Sequence, residues 1–205
     1  TKGLAAKFIG VFGFCSIYLF YYQGGDTLAY FKGVKSFYNL FWKSPFDYFH
    51  LMTQGVNMTN WYLFDSETGY PPHYMFRDSR TLLVLKLSSI LSFPALGGFF
   101  STSVLLAKFT YSWIWKGFLL VANKYPEISK QIAIAFLYLP SVIFWGSGIM
   151  KDTFTLSASC FCLYGIHAIF ITKENIIKNT IQLIIAAYLI LSIKSYILFA
   201  LLPGI

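Results

Sequence analysis

Charged residues are scarce in this chain. Only 12% of its 205 residues are Asp, Glu, Lys or Arg, where a soluble domain carries about a quarter. Too few polar groups remain to cover a large water-soluble core, so a soluble globular protein is excluded. Acidic residues are rarest, eight against sixteen Lys and Arg, for a net charge of +8. The lysines gather between apolar runs, where a membrane protein keeps them. No basic cluster with interleaved exposed aromatics marks a soluble module, which excludes nucleic acid as a partner. The three cysteines, Cys15, Cys160 and Cys162, all lie inside apolar runs, and no His neighbours them at a zinc-like spacing. A disulfide framework and a zinc site are therefore excluded. Internal repeats and low-complexity tracts are also missing.

What the chain has is apolar length. Residues are 57% hydrophobic and 20% aromatic, and several windows approach the roughly 20 residues that span a bilayer. The first predicted span is Leu4 to Tyr22, with Lys2 and Lys7 ahead of it marking a cytoplasmic start. Gln23-Gly24-Gly25-Asp26 follows, where two glycines allow a sharp turn and Asp26 is placed to cap the next helix. Residues 23–81 form the one long non-spanning region. Leu28, Phe31, Val34, Phe37, Tyr38 and Phe41 recur in it at helical spacing among Lys32, Lys35 and Lys43, the pattern of an interfacial helix. Leu82 to Ala122 is too long for one span, and its charges forbid two. Pro94 and Gly97-Gly98 divide it into a short broken or re-entrant segment and a true second span from Phe99. The third span is Ile132 to Met150, loosened at Pro140. The fourth is Thr153 to Thr172, and the fifth is Ile181 to Pro203, interrupted by Ser192-Ile-Lys-Ser195.

The expected fold class is thus an all-α polytopic membrane protein. It has about five transmembrane helices, interfacial helices in a long first extracytoplasmic loop, and one broken or re-entrant segment. Residues 1–205 form a single transmembrane domain. Because Thr1 is not an initiator Met and no polar tail closes the chain, it reads as part of a longer protein.

This alternation puts Asp26, Arg77, Arg80, Lys151, Asp152 and Lys194 on one side of the membrane. Lys194 lies deep in the last apolar run and needs an anion there, from the protein or from a ligand phosphate. Arg and Lys hold phosphate oxygens, and a nearby carboxylate can take a proton from a hydroxyl or bind a metal that activates it. The candidate catalytic residues are Asp26 and Asp152; the candidate substrate-binding residues are Arg77, Arg80, Lys151 and Lys194. Taken singly, Asp26 caps a helix or serves chemistry, and Lys151-Asp152 forms a solvated turn or a site; the residues alone leave both open.

Two stretches, Gly24-Gly25-Asp26 after the first span and the neck Pro140-Ser-Val-Ile-Phe-Trp-Gly-Ser-Gly-Ile-Met-Lys-Asp152, resemble the integral-membrane glycosyltransferases of the GT-C class and related polytopic polysaccharide polymerases. The resemblance implies sugar transfer from a polyprenyl-phosphate-linked donor at the extracytoplasmic face of the cytoplasmic (inner) membrane. It implies that Asp26 is the base or the ligand of a divalent metal. Many relatives carry two acidic residues near that loop, and here Asp26 stands alone. The implied partners are the lipid bilayer, a lipid-linked sugar donor and other membrane subunits. Two further functions fit the same pattern: a non-enzymatic subunit that anchors or scaffolds a cell-envelope complex, and a transporter of lipid-linked or anionic substrates.

Overall fold

In the computed structural model, residues 2–201 are described, apart from the side chains of Met75 and Phe76. They form helices and connecting loops, with no strand among them. Five helical stretches are long and apolar enough to cross a membrane: Lys2–Tyr22, Phe99–Lys124, Pro126–Trp145, Lys151–Phe170 and Ile176–Leu201. Large apolar side chains point outward from them, among them Ile177 at 80% exposure and Phe199 at 66%. Lipid, not water, suits such faces. The membrane-embedded helical class expected from composition therefore holds.

Helix α1 (Lys2–Ser16) continues as a wider π-helical stretch, Ile17–Tyr22. Gln23 at φ 49° and Gly25 at φ 95° then turn the chain. A Cβ on Gly25 would stand 2.8 Å from Tyr18, so the turn needs glycine for space as well as for backbone freedom. Two helices follow that are not among the candidate spans, α2 (Asp26–Lys43) and α3 (Pro45–Gln54). Ser44 caps α3 by accepting from the Asp47 N–H, with Pro45 in the first position, where its missing N–H costs no bond. Helix α4 (Ser79–Ser92) has 14 residues, about 21 Å at helical rise, and lies against α2. It stops at a turn through Pro94, Leu96 and Gly97, the last two at positive φ. The expected break before Phe99 is present: α5 (Phe99–Lys124) starts as a separate helix.

The third span differs from expectation. It is assembled from α6 (Ser129–Ala133), a π-helical stretch Ile134–Tyr138, and α7 (Pro140–Trp145). Proline forces Leu139 into an extended conformation (ψ 126°). Helix ends at Trp145 instead of continuing to Met150, and residues 146–150 form an irregular neck. Helices α8 (Lys151–Phe170) and α9 (Ile176–Leu201) then run as an antiparallel pair. Helical geometry in α9 fails at Lys194 (φ −144°, ψ 74°), inside the expected interruption at Ser192 to Ser195. Pro203 lies outside the described residues.

Lys7 requires a correction. It does not precede the first span as a marker of sidedness. It lies inside α1 at 4% exposure, and its ammonium donates to the Gly146 carbonyl at the end of α7. A helix C-terminus has unpaired carbonyls and partial negative charge, which makes a buried cation tolerable there. Helix α1 holds the rest of the neck by close packing. A Cβ on Gly148 would overlap the Phe14 ring, and one on Gly10 would overlap Ile143.

Candidate functional site

The neck exists to place the start of α8. Lys151 and Asp152 are the first two residues of that helix, with Met150 before them giving no side-chain cap. Asp152 suits the positive end of a helix and Lys151 does not. Both find partners across the bundle. Lys151 donates to Asp78 at 2.7 Å, and Lys194 is ion-paired to Asp152. Three elements distant in sequence, the head of α4, the head of α8 and the break in α9, thus meet through two lysine–aspartate pairs. Lys194 stands 18 residues beyond Ile176, about 27 Å along α9. The pairing therefore closes the far end of the α8–α9 hairpin. On α1 the neck reaches Phe14, two turns short of Tyr21 and Tyr22, about 10 Å by helical rise.

The two pairs are not equivalent. Asp78 is the N-cap of α4. It accepts from the backbone N–H groups of Arg80 (3.1 Å) and Thr81 (3.2 Å), and from the Thr81 hydroxyl as well as Lys151. Burial alone would raise its carboxyl; the hydrogen bonds from Lys151 and Thr81 outweigh that and hold it at about 2. Asp152 has one partner among the described residues, Lys194. Its side chain is 46% exposed, against 32% for Asp78.

Asp26 is the first residue of α2, not its cap; Gly25 occupies that position. Its link to the cluster runs through Tyr74. The Tyr74 phenol is pushed up to about 12, first by burial, then by Tyr30 and by the carboxylates of Asp26 and Asp78. Two acidic groups therefore act on one phenol, and the Thr81 hydroxyl donates to the Tyr30 oxygen at 3.5 Å. Arg77 and Arg80 stand exposed beside Asp78, with no ion pair among the described residues. A cleft of about 510 Å³ opens next to Asp152, lined by Ser141, Trp145, Thr155, Ser159 and Ile197.

Of the six residues singled out from sequence, Lys151, Asp152 and Lys194 come together directly. Asp26, Arg77 and Arg80 border them. Asp78 is the member that spacing did not single out. Its signal was a capping one, an Asp two residues before Arg80-Thr81 and an apolar run. Among the described residues no three His, Cys, Asp or Glu are grouped to hold a metal ion.

Neither a protein-family profile, nor a curated protein, nor a solved structure matches this chain.

Proposed function

We propose that this chain is a membrane glycosyltransferase or polysaccharide polymerase. It transfers a sugar from a polyprenyl-phosphate-linked donor at the extracytoplasmic face of the cytoplasmic membrane. The observation that carries the reading is the meeting of Asp78, Lys151, Asp152 and Lys194 at one end of α4, α8 and α9, with Asp26 and Asp78 both acting electrostatically on the Tyr74 phenol. Ionisable groups at membrane depth are costly and persist where function needs them. A donor of this class carries its phosphate at the membrane surface and its chain among the lipids, which matches cations set at helix ends.

The chemistry follows from those groups. Asp26, exposed and outside any ion pair among the described residues, accepts the proton of an acceptor hydroxyl. The hydroxyl oxygen bonds to the anomeric carbon as the bond from that carbon to the phosphate oxygen breaks. The electron pair leaves with the phosphate, and its charge falls to Lys194, Lys151, Arg77 and Arg80. Asp152 is the second carboxylate at the reacting groups.

One observation favours the scaffold reading instead: both recessed lysines already have carboxylate partners within the chain. The two readings part at Asp26→Asn. Asn keeps the size and cannot take a proton. For a transferase, turnover of a lipid-linked sugar in membrane vesicles drops to background, with folding and donor binding retained. Wild-type turnover from that variant would end the catalytic role of Asp26. Sidedness is tested with single cysteines at Ser66 and Ser129. The first should label from the extracytoplasmic side and the second from the cytoplasm; the reverse pattern rejects the topology.

A further inference from the structure

We propose that the Lys194–Asp152 pair is an exchange lock: a ligand phosphate takes Lys194 from Asp152, and the released carboxylate becomes available to the acceptor. The inference rests on the proposed function for the identity of the ligand and deepens it.

Two lysines and two aspartates make the recessed cluster neutral. A phosphate can meet Arg77 and Arg80 at the border, unpaired among the described residues, but to engage either lysine it has to open one of the two pairs, and the structure distinguishes them. Opening Lys151–Asp78 would disturb the cap of α4, because the same carboxylate also accepts from Arg80, Thr81 and the Thr81 hydroxyl. Opening Lys194–Asp152 breaks one contact. Asp152 is then left at the first turn of α8, where helix N–H groups favour its charge. It is also the more exposed carboxylate, so water can receive it.

Lys194 is placed for such a change of partner. The α9 backbone leaves helical geometry at this residue, so its side chain is not tied to the direction that an unbroken helix would impose. The released Asp152 faces the 510 Å³ cleft beside Trp145 and Thr155, room enough for a hydroxyl-bearing group to reach it. Occupation of the phosphate site thereby readies a carboxylate, and an empty site keeps that carboxylate masked.

The test titrates the full chain in detergent or nanodiscs with a long-chain polyprenyl phosphate and, separately, with inorganic phosphate. Asp152→Asn removes the competitor and leaves Lys194, so phosphate binding should tighten by about tenfold relative to wild type. The gain should vanish in Asp152→Asn combined with Lys194→Gln. Tightening for the polyprenyl phosphate alone assigns the site to a lipid head; tightening for both ligands assigns it to phosphate from either source. Unchanged or weaker binding of both by Asp152→Asn overturns the exchange.

A measurement on the wild type guards against a variant that fails to fold. Infrared difference spectra on adding polyprenyl phosphate should show an aspartate carboxylate band shifting as its ion pair opens. An unchanged carboxylate region rejects the proposal. No sugar transfer is involved in either experiment. Exchange without transfer rejects the transferase reading and keeps the lock, and transfer without exchange does the opposite.

Discussion

The chain contains two clusters where lysine meets carboxylate, and they are built on opposite terms. In the loop, Lys43 at the end of α2 pairs with Asp65 and Glu67, all with side chains at least 40% exposed. Its members lie within 24 residues of one another in sequence, and the loop's own backbone supports Asp65 through Thr68 and Glu67. At the helix ends, Lys151 and Lys194 are each 22% exposed, and their partners are 73 and 42 residues away. The loop cluster shapes a local turn in water. The helix-end cluster ties α4, α8 and α9 together where solvent is restricted. Exposed pairs contribute little to stability and are screened by salt. Recessed pairs cost more to form, and breaking one strands its partner.

The largest effect should come from Asp78. Asp78→Ala removes the α4 cap and leaves Lys151 without its anion, a loss of about 2 kcal/mol. Thermal denaturation in detergent should show it. Asp78→Asn retains a capping oxygen and should lose less. If the two variants are equally destabilised, the cap contributes nothing and the ion pair carries the whole effect.

Next comes Lys194→Met, which keeps the apolar stem and removes the charge. A charge-assisted contact of about 1.5–3 kcal/mol makes polyprenyl phosphate binding weaker by roughly one to two powers of ten. The protein should remain folded, because the stranded Asp152 is half exposed. Unaltered affinity would make the helix-end cluster as inert as the loop cluster.

The smallest and most diagnostic effect is in acid and salt. Asp78 and Asp65 are both held at about 2, below the ordinary 3.8. A lowered carboxyl stabilises the fold fully above its unfolded value, so stability from each is present above about pH 4 and is lost as pH falls toward 2. The causes differ. For Asp65 the Lys43 hydrogen bond leads; for Asp78 the bonds from Lys151 and Thr81 overcome burial. Molar salt should therefore raise the Asp65 value, followed by NMR titration, and leave Asp78 nearly unmoved. Lys43→Ala should raise Asp65 likewise, with a small loss of thermal stability that molar salt largely removes in the wild type. Equal salt response at both sites would erase the distinction.

Sequence by itself determined the features that depend on local chemistry. Scarce charge and long apolar runs fixed the membrane class. Pro94 with Gly97-Gly98 fixed the break before α5, because a missing N–H and a glycine free to take positive φ, as Gly97 does, end a helix whatever surrounds them. The interruption around Lys194 was legible for a similar reason: a cation inside an apolar run has to be accommodated. Tertiary structure decided the rest. Lys7 looks like any lysine near the start of a span, and only the fold sets it against the open carbonyl of Gly146, 139 residues away. The third span stops at Trp145, and the glycine neck beyond it packs on Phe14 of α1 with no room for a Cβ at Gly148, a contact no local pattern records. Asp78 is an unremarkable loop acid until α4 and α8 bring it within 2.7 Å of Lys151. Which carboxylate answers which cation is a matter of Coulomb energy at a few ångströms, and those distances are set by helix packing, not by spacing along the chain.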